Sequence, residues 1–126
     1  MVLNLDMDVL IVDEAAAMRL IVRGRLKELG FKNFREAENG QLALAELQKK
    51  KADFVVSGWG MPVMTGIDLL RAIRADETLK AIPVLMVTAE AEKGNIVAAV
   101  QAGVSDFIVK PFNAATLLEK LSKIFP

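Results

Sequence analysis

Four side chains that could take part in chemistry stand directly at the ends of apolar runs. Asp13 and Glu14 follow the run DVLIV, Thr88 closes PVLMVT, and Lys110 follows DFIV. The chain contains no His and no Cys, so imidazole and thiolate chemistry are excluded, and Asp13, Glu14 and Lys110 are the acid–base candidates. Each residue alone has an ordinary structural explanation, since acids open helices and threonine is common in strands. Their shared position favours a single functional site.

Alternating short apolar runs and helical segments must position these residues. The runs cover 8–13, 34–38, 53–58, 83–89 and 106–110, and the helical segments cover 15–29, 40–51, 66–75, 92–102 and 113–124. Strict alternation predicts an α/β fold with a doubly wound five-stranded parallel sheet and right-handed crossovers. We expect the polar second strand at an edge, Gly30 just past the first helix, and Asn113 as the cap of the last helix.

This fold explains why the four side chains would meet. In doubly wound sheets, ligands bind beyond the carboxyl ends of the strands, near the point where strand order reverses. The third run, DFVVSG, ends at the same edge with Gly58, which has no side chain. The sequence therefore predicts a polar site with a gap at its centre.

Composition limits the class of protein. A chain of 126 residues with 53% apolar content is long enough for one compact domain over residues 1–126. Sixteen basic and sixteen acidic residues cancel, which gives no electrostatic signature of nucleic-acid or membrane-surface binding. The first residues lack a signal-peptide pattern, and no apolar segment approaches the roughly 18 residues of a membrane span. We expect a cytoplasmic protein with neither a nucleic-acid nor a membrane partner.

A family resemblance rests on five segments: LIVDE, MPVMTGIDLL, PVLMVTAEA, QAGVSDFIVKPF and AATLLEKLSKIF. From about residue 7 to the end, and without gaps, they resemble the response-regulator receiver domain of the CheY-like, single-domain chemotaxis type. The resemblance implies a flavodoxin-like (βα)5 fold with strand order 2-1-3-4-5. It also implies a signalling protein rather than an enzyme, in which an Asp at the end of the third strand accepts a phosphoryl group from a sensor kinase.

By the same resemblance, Mg²⁺ is held by an acidic pair after the first strand, by the acceptor Asp and by a backbone carbonyl two residues beyond it. Asp13 and Glu14 match the pair, Gly60 matches the carbonyl, and Gly58 stands at the acceptor position. Glycine has no carboxylate to attack phosphorus, so we expect no phosphorylation there. Mg²⁺ prefers oxygen ligands in near-octahedral geometry, and Gly58 removes one carboxylate from the family's ligand set. We therefore expect Mg²⁺ to bind weakly at most.

The family's switch and partner positions are largely retained. Thr88, Phe107 and Lys110 match the switch hydroxyl, aromatic ring and lysine, although Phe107 lacks the hydroxyl of the tyrosine common there. The resemblance implies contacts with the chemotaxis histidine kinase and the flagellar motor switch protein, on a face that includes Ala91, Ile96, Phe107, Val109 and Lys120. We expect a monomer in which partner or ion binding drives any switching.

No neighbour is expected to replace the missing carboxylate at Gly58. Successive strand side chains point to opposite faces, so Ser57 should point away from the site, and Asp53 should lie about 16 Å back along the strand. The missing side chain should instead leave a space lined by Lys110, Thr88 and the backbone N–H groups of Trp59 and Gly60, where a phosphate or sulfate anion would bind. Because Asp13 and Glu14 lie close by, we expect the anion to bind cooperatively with Mg²⁺.

Three readings of the sequence remain open. The glycine at the acceptor position fits equally well a natural receiver that has lost phosphoacceptance and an engineered variant of an ordinary chemotaxis regulator. A flavodoxin-like small-ligand or phosphate-binding enzyme domain shares the strand order. That alternative would need a Ser/Thr/Gly-rich phosphate loop after the first strand, where the sequence reads DEAAAMRL.

Overall fold

The computed structural model describes residues 3–89 and 93–126, and within them five strands alternate with five helices. The strands are β1 (Asp8–Val12), β2 (Asn33–Ala37), β3 (Phe54–Gly58), β4 (Val84–Thr88) and β5 (Asp106–Val109). The helices are α1 (Ala16–Glu28), α2 (Gly40–Lys49), α3 (Gly66–Ala75), α4 (Lys93–Gln101) and α5 (Ala114–Ile124). Every predicted element is present, with ends within two residues of those expected.

The five strands form one parallel sheet in the order β2-β1-β3-β4-β5, which confirms the predicted fold class and strand order. All residues of β3 and β4 are buried, whereas most residues of β2 are exposed or half-buried at the edge of the sheet. Central parallel strands are covered by crossover helices on both faces, which is why their sequences are continuously apolar.

The core consists of two apolar layers, one on each side of the sheet. Leu10 and Val12 of β1 pack with side chains of α2 and α3, whereas the alternating Val9 and Ile11 pack with side chains of α1 and α5. This alternation follows from the two-residue repeat of a strand. In the part of the chain that the structure describes, no helix is long and apolar enough to cross a bilayer.

Local capping fixes where the helices begin and end. The side chains of Asn39, Thr65 and Asn113 accept hydrogen bonds from backbone N–H groups in the first turns of α2, α3 and α5. Gly30 follows the C-cap of α1 with a φ of 105°, a conformation that glycine adopts without steric cost. The predicted positions of Gly30 and Asn113 are confirmed.

Candidate functional site

The strands β1, β3, β4 and β5 are parallel neighbours, so their carboxyl ends lie side by side at one end of the sheet. Gly58 ends β3 and lies opposite Val87 of β4, and Thr88 ends β4 opposite Val109 of β5. The backbone N–H of Lys110 donates to the carbonyl of Thr88 at 2.9 Å, which joins the loop after β5 to the end of β4. Gly58, Thr88 and Lys110 therefore lie at the ends of three neighbouring strands.

Asp13 lies directly against Gly58. A Cβ built on Gly58 would stand 2.7 Å from Oδ2 of Asp13 and 3.3 Å from its Cγ. The other carboxylate oxygen, Oδ1, accepts a hydrogen bond from the N–H of Ala15 at 2.9 Å, just before α1 begins. An anion beside Gly58 would face this carboxylate at close range and, without a cation, would be repelled by it.

Neither Ser57 nor Asp53 supplies a hydroxyl or carboxylate in place of the missing side chain at residue 58. Ser57 is fully buried, and its hydroxyl donates to the carbonyl of Gly58 at 2.9 Å. Asp53 lies at the opposite end of the sheet, where its Oδ2 accepts from the N–H of Asp8 at 2.8 Å. The carbonyl of Gly58 also packs against Gly66, where no Cβ would fit. The end of β3 is therefore closely packed and carries no nucleophile.

The loop after β3 contains a strained residue that sequence reasoning missed. Val63 has a φ of 67°, and the N–H of Met64 donates to the carbonyl of Pro62 at 2.7 Å, closing a γ-turn around Val63. The carbonyl of Met64 in turn accepts from the N–H of Gly40 at the start of α2. A β-branched residue at positive φ is a conformational outlier, and Val in a sequence gives no signal of such a turn.

The residues matched to the family's Mg²⁺ site offer few ligands. Glu14 is exposed, one oxygen of the Asp13 carboxylate is bonded to the backbone, and Gly60 offers only its carbonyl. Among the residues described, no group of three or more Asp, Glu, His or Cys side chains could hold a metal ion. With two carboxylates and one carbonyl, a Mg²⁺ ion at this position would complete its octahedral shell with water, as it commonly does in proteins.

Phe107 is held by two charged neighbours. It lies opposite Met86 in the sheet and packs half-buried against the layer that contains α2 and α3. The ammonium of Lys120 stands 5.1 Å from the centroid of the Phe107 ring and 3.5 Å from Oδ1 of Asp106. The same oxygen accepts from the N–H of Phe107 at 2.8 Å. Asp106 was not identified from the sequence, because its role depends on a lysine on the distant α5.

The predicted partner positions lie on α4, β5 and α5. Ile96 is half-buried on α4 and Val109 is exposed at the end of β5, while Lys120 reaches over Phe107 from α5. Further exposed apolar side chains on α4 are Val97 and Val100. Ala91, which was also assigned to this face, lies outside the described residues.

Comparisons with known proteins agree with this architecture. The family model of the response regulator receiver domain matches residues 9–122. Chemotaxis protein CheY-3 of Vibrio cholerae is 58% identical over 98% of this chain and 95% of that protein. Chemotaxis protein CheY of Pseudomonas aeruginosa is 56% identical over 94% of this chain and 96% of that protein.

Solved structures give the same result. The chemotaxis response regulator CheY4 of Vibrio cholerae aligns with a TM-score of 0.86 at 34% identity, covering 95% of this chain and 99% of that one. A receiver domain of a signal transduction histidine kinase from Syntrophus aciditrophicus aligns with a TM-score of 0.83 at 26% identity, covering 94% and 89%. The chain therefore belongs to the response regulator receiver domain family, as a CheY-like chemotaxis receiver.

Proposed function

We propose that this receiver signals by protein–protein contact and does not accept a phosphoryl group at the position its family uses. The observation that carries the proposal is the end of β3. Gly58 has no side chain, and Oδ2 of Asp13 stands 2.7 Å from the place of the missing Cβ. An acyl phosphate requires a carboxylate nucleophile, and residue 58 has no atom for the role.

The surroundings of Gly58 support the same conclusion. The hydroxyl of Ser57 is buried and donates to the Gly58 carbonyl, and the Asp13 carboxylate is anchored through Oδ1 to the N–H of Ala15. The Ser57 hydroxyl would have to break its hydrogen bond before attacking, and Asp13 stands at a position that suits metal binding in the family. We therefore expect neither residue to substitute for the absent acceptor.

Mg²⁺ is proposed to bind weakly and to play no obligatory part in signalling. Receiver domains of this family typically bind Mg²⁺, but Asp13, Glu14 and the Gly60 carbonyl leave most of an octahedral shell to water. Mg²⁺ keeps its waters readily, and ligand charge strengthens its binding. Removing one carboxylate from the family's set should lower affinity accordingly.

The proposed partners are the chemotaxis histidine kinase and the flagellar motor switch protein, in cytoplasmic two-component signalling. Support comes from the chemotaxis relatives and from the face formed by α4, β5 and α5. That face combines exposed Val97, Val100 and Val109 with the basic Lys120. Apolar side chains with a nearby cation suit a partner helix that carries apolar and acidic residues. A receiver of this kind would occupy such partners independently of phosphorylation.

The acceptor hypothesis can be tested by intact mass measurement. The protein is incubated with a small-molecule phosphodonor and Mg²⁺, and no added phosphoryl mass is expected. A Gly58→Asp variant is the matched comparison, since it restores the nucleophile at the same backbone position. A phosphoryl group on the unmodified chain, at Asp13, Glu14 or Ser57, would refute the proposal.

The partner hypothesis has a separate test. Binding of the unphosphorylated protein to isolated kinase and motor-switch segments is measured by titration, with Val100→Asp as the variant expected to weaken it. Leu42→Asp, at a similarly exposed site on α2, serves as the control and should leave affinity unchanged. Equal affinities for the unmodified chain, Val100→Asp and Leu42→Asp would show that the α4–β5–α5 face is not the binding site.

A further inference from the structure

Helix α1 exposes an apolar stripe on the side that faces away from the core. The stripe consists of Ala17, Leu20, Ile21 and Gly24, whose spacing of three, four and seven residues places them on one face. Leu20 is 69% exposed and Ile21 is 45% exposed, although the opposite face of the helix is buried. We propose that this α1 stripe binds the α1 stripe of a second copy of the chain, in an antiparallel two-fold pair.

The stripe continues into a largely apolar cavity, which gives a second copy more to contact than one helix face. The cavity measures about 390 Å³ and is lined by Met18, Ile21, Arg25, Lys110, Pro111 and Phe112. Contiguous exposed apolar surface of this kind marks interaction sites. A large apolar side chain from another helix can be received beside Ile21.

The order of residues along the stripe favours a second copy as its occupant. A two-fold axis between Leu20 and Ile21 brings Leu20 of one copy onto Ile21 of the other. The same axis brings Ala17 onto Gly24. A Cβ on Gly24 would have no heavy atom within 4 Å outside its own helix. Small residues at both ends of the contact therefore let the two helices approach closely while the large ones pack at its centre.

The charges at the ends of α1 are complementary under the same symmetry. Glu14, just before the helix, would lie opposite Lys27 in the last turn of the second copy, and both residues are exposed. Antiparallel pairing also sets each helix N-terminus beside the other's C-terminus, which the helix dipoles favour. The same symmetry sets Glu28 opposite Asp13, but Glu28 already pairs with Arg25 of its own helix. Arg19 and Arg23 pair with Glu36 within the chain.

The association should be weak. One helix pair and a flanking cavity bury less than a standard protein interface, so we expect a Kd on the order of 0.1 to 1 mM. The protein would then be the monomer expected from its sequence at low concentration and a dimer at high concentration. The inference does not depend on whether the chain accepts a phosphoryl group or binds a flagellar partner.

Sedimentation equilibrium tests the proposal over protein concentrations from about 10 µM to about 1 mM. The average mass of the unmodified chain should rise towards that of a dimer, and Leu20→Arg should remain monomeric. Leu42→Arg is the matched control, because Leu42 is 49% exposed on α2 and should leave the dimer intact. Circular dichroism checks that both variants are folded.

Three outcomes would overturn the proposal. If the unmodified chain stays monomeric at about 1 mM, where half or more should be paired, the α1 stripe does not bind a second copy. If Leu42→Arg abolishes the dimer and Leu20→Arg keeps it, the contact lies on α2. If both variants keep it, the contact lies on neither helix.

Charge reversal tests the antiparallel register. Glu14→Lys alone opposes two lysines across the axis, and Lys27→Glu alone opposes two glutamates, so each variant should dimerise less than the unmodified chain. An equimolar mixture of the two should associate more strongly than either alone. In the mixed pair, the lysine introduced at position 14 meets the glutamate introduced at position 27, and the native pair is kept at the other end. A mixture no stronger than its components would contradict this register.

Discussion

The Asp13 carboxylate occupies the space beside Gly58 that a side chain at residue 58 would need. Oδ2 of Asp13 stands 2.7 Å from the position a Cβ on Gly58 would take, closer than real Cβ contacts come. Oδ1 of the same carboxylate accepts from the N–H of Ala15 and so helps to start α1. Any side chain at residue 58 therefore requires the Asp13 carboxylate to turn away. That rotation would disturb the hydrogen bond from the N–H of Ala15 at the start of α1.

Gly58→Asp should destabilise the metal-free protein. Two carboxylates about 4 Å apart near a protein surface repel by roughly 1 to 4 kcal/mol, whereas replacing glycine gains about 0.4 to 1 kcal/mol through the unfolded chain. The repulsion should win, and the urea midpoint measured without Mg²⁺ should fall.

Asp13→Asn supplies the control for this prediction. Its amide oxygen can still accept from the N–H of Ala15, but it carries no charge. Introducing Gly58→Asp in that background should cost less than in the unmodified chain, and the difference is the coupling between the two positions. A midpoint that is equal or higher in the single Gly58→Asp variant would contradict the prediction.

The sequence predicted what depends on local pattern and missed what depends on packing between distant segments. Asn113 and Gly30 were identified because capping and positive φ have strong residue preferences. The orientation of the Asp13 carboxylate was not predicted, because it combines a bond to the N–H of Ala15 with the space beside Gly58 on another strand. Val63 violates the preference for glycine or asparagine in its turn. Asp106 acquires its role only when α5 brings Lys120 beside it.

Val63→Asn should stabilise the protein. Holding a β-branched residue at a φ of 67° costs on the order of 1 to 3 kcal/mol, and asparagine tolerates this region much better. Val63 is 77% exposed, so little packing is lost with its side chain. We expect a gain of about 1 kcal/mol in the free energy of unfolding. Val97→Asn, at an exposed site on α4, should give no such gain, and equal effects at both sites would show that the turn is not strained.

Asp76 should make stability depend on pH in the acid range. The hydroxyl and the N–H of Thr78 donate to Oδ1 of Asp76 at 2.7 and 2.8 Å, and these bonds hold the pKa of the carboxyl below its ordinary value of 3.8. A lowered folded-state pKa means that the contribution is complete above the ordinary pKa and is lost as the pH falls through the folded value.

The measurement for Asp76 is a carboxyl titration by NMR in the folded protein. The midpoint should lie below 3.8 and should rise in Thr78→Val, which removes the hydroxyl donor. The stability difference between the unmodified chain and Thr78→Val should narrow when both are compared at acid pH. A carboxyl that titrates identically in both proteins would show that the hydroxyl has no effect on the charge.

Arg74→Lys should destabilise the protein although it conserves charge. The Arg74 guanidinium donates from Nε to the carbonyl of Gly103 at 2.9 Å, and from Nη1 to the carbonyls of Ile82 and Lys80 at 2.6 and 3.1 Å. It thereby ties the end of α3 to the segments that precede β4 and β5, and burial lowers the pKa of Arg74. An ammonium cannot reproduce this planar arrangement of donors, and leaving the part-buried carbonyl of Ile82 without a partner costs about 1 to 3 kcal/mol. We expect a loss of about 2 kcal/mol in urea unfolding. Arg71→Lys is the control, because the exposed Arg71 side chain pairs with Asp68 at the surface, and we expect its change to stay within about 0.5 kcal/mol. Equal losses in the two variants would mean that the bonds to the three carbonyls contribute nothing beyond an ordinary surface charge.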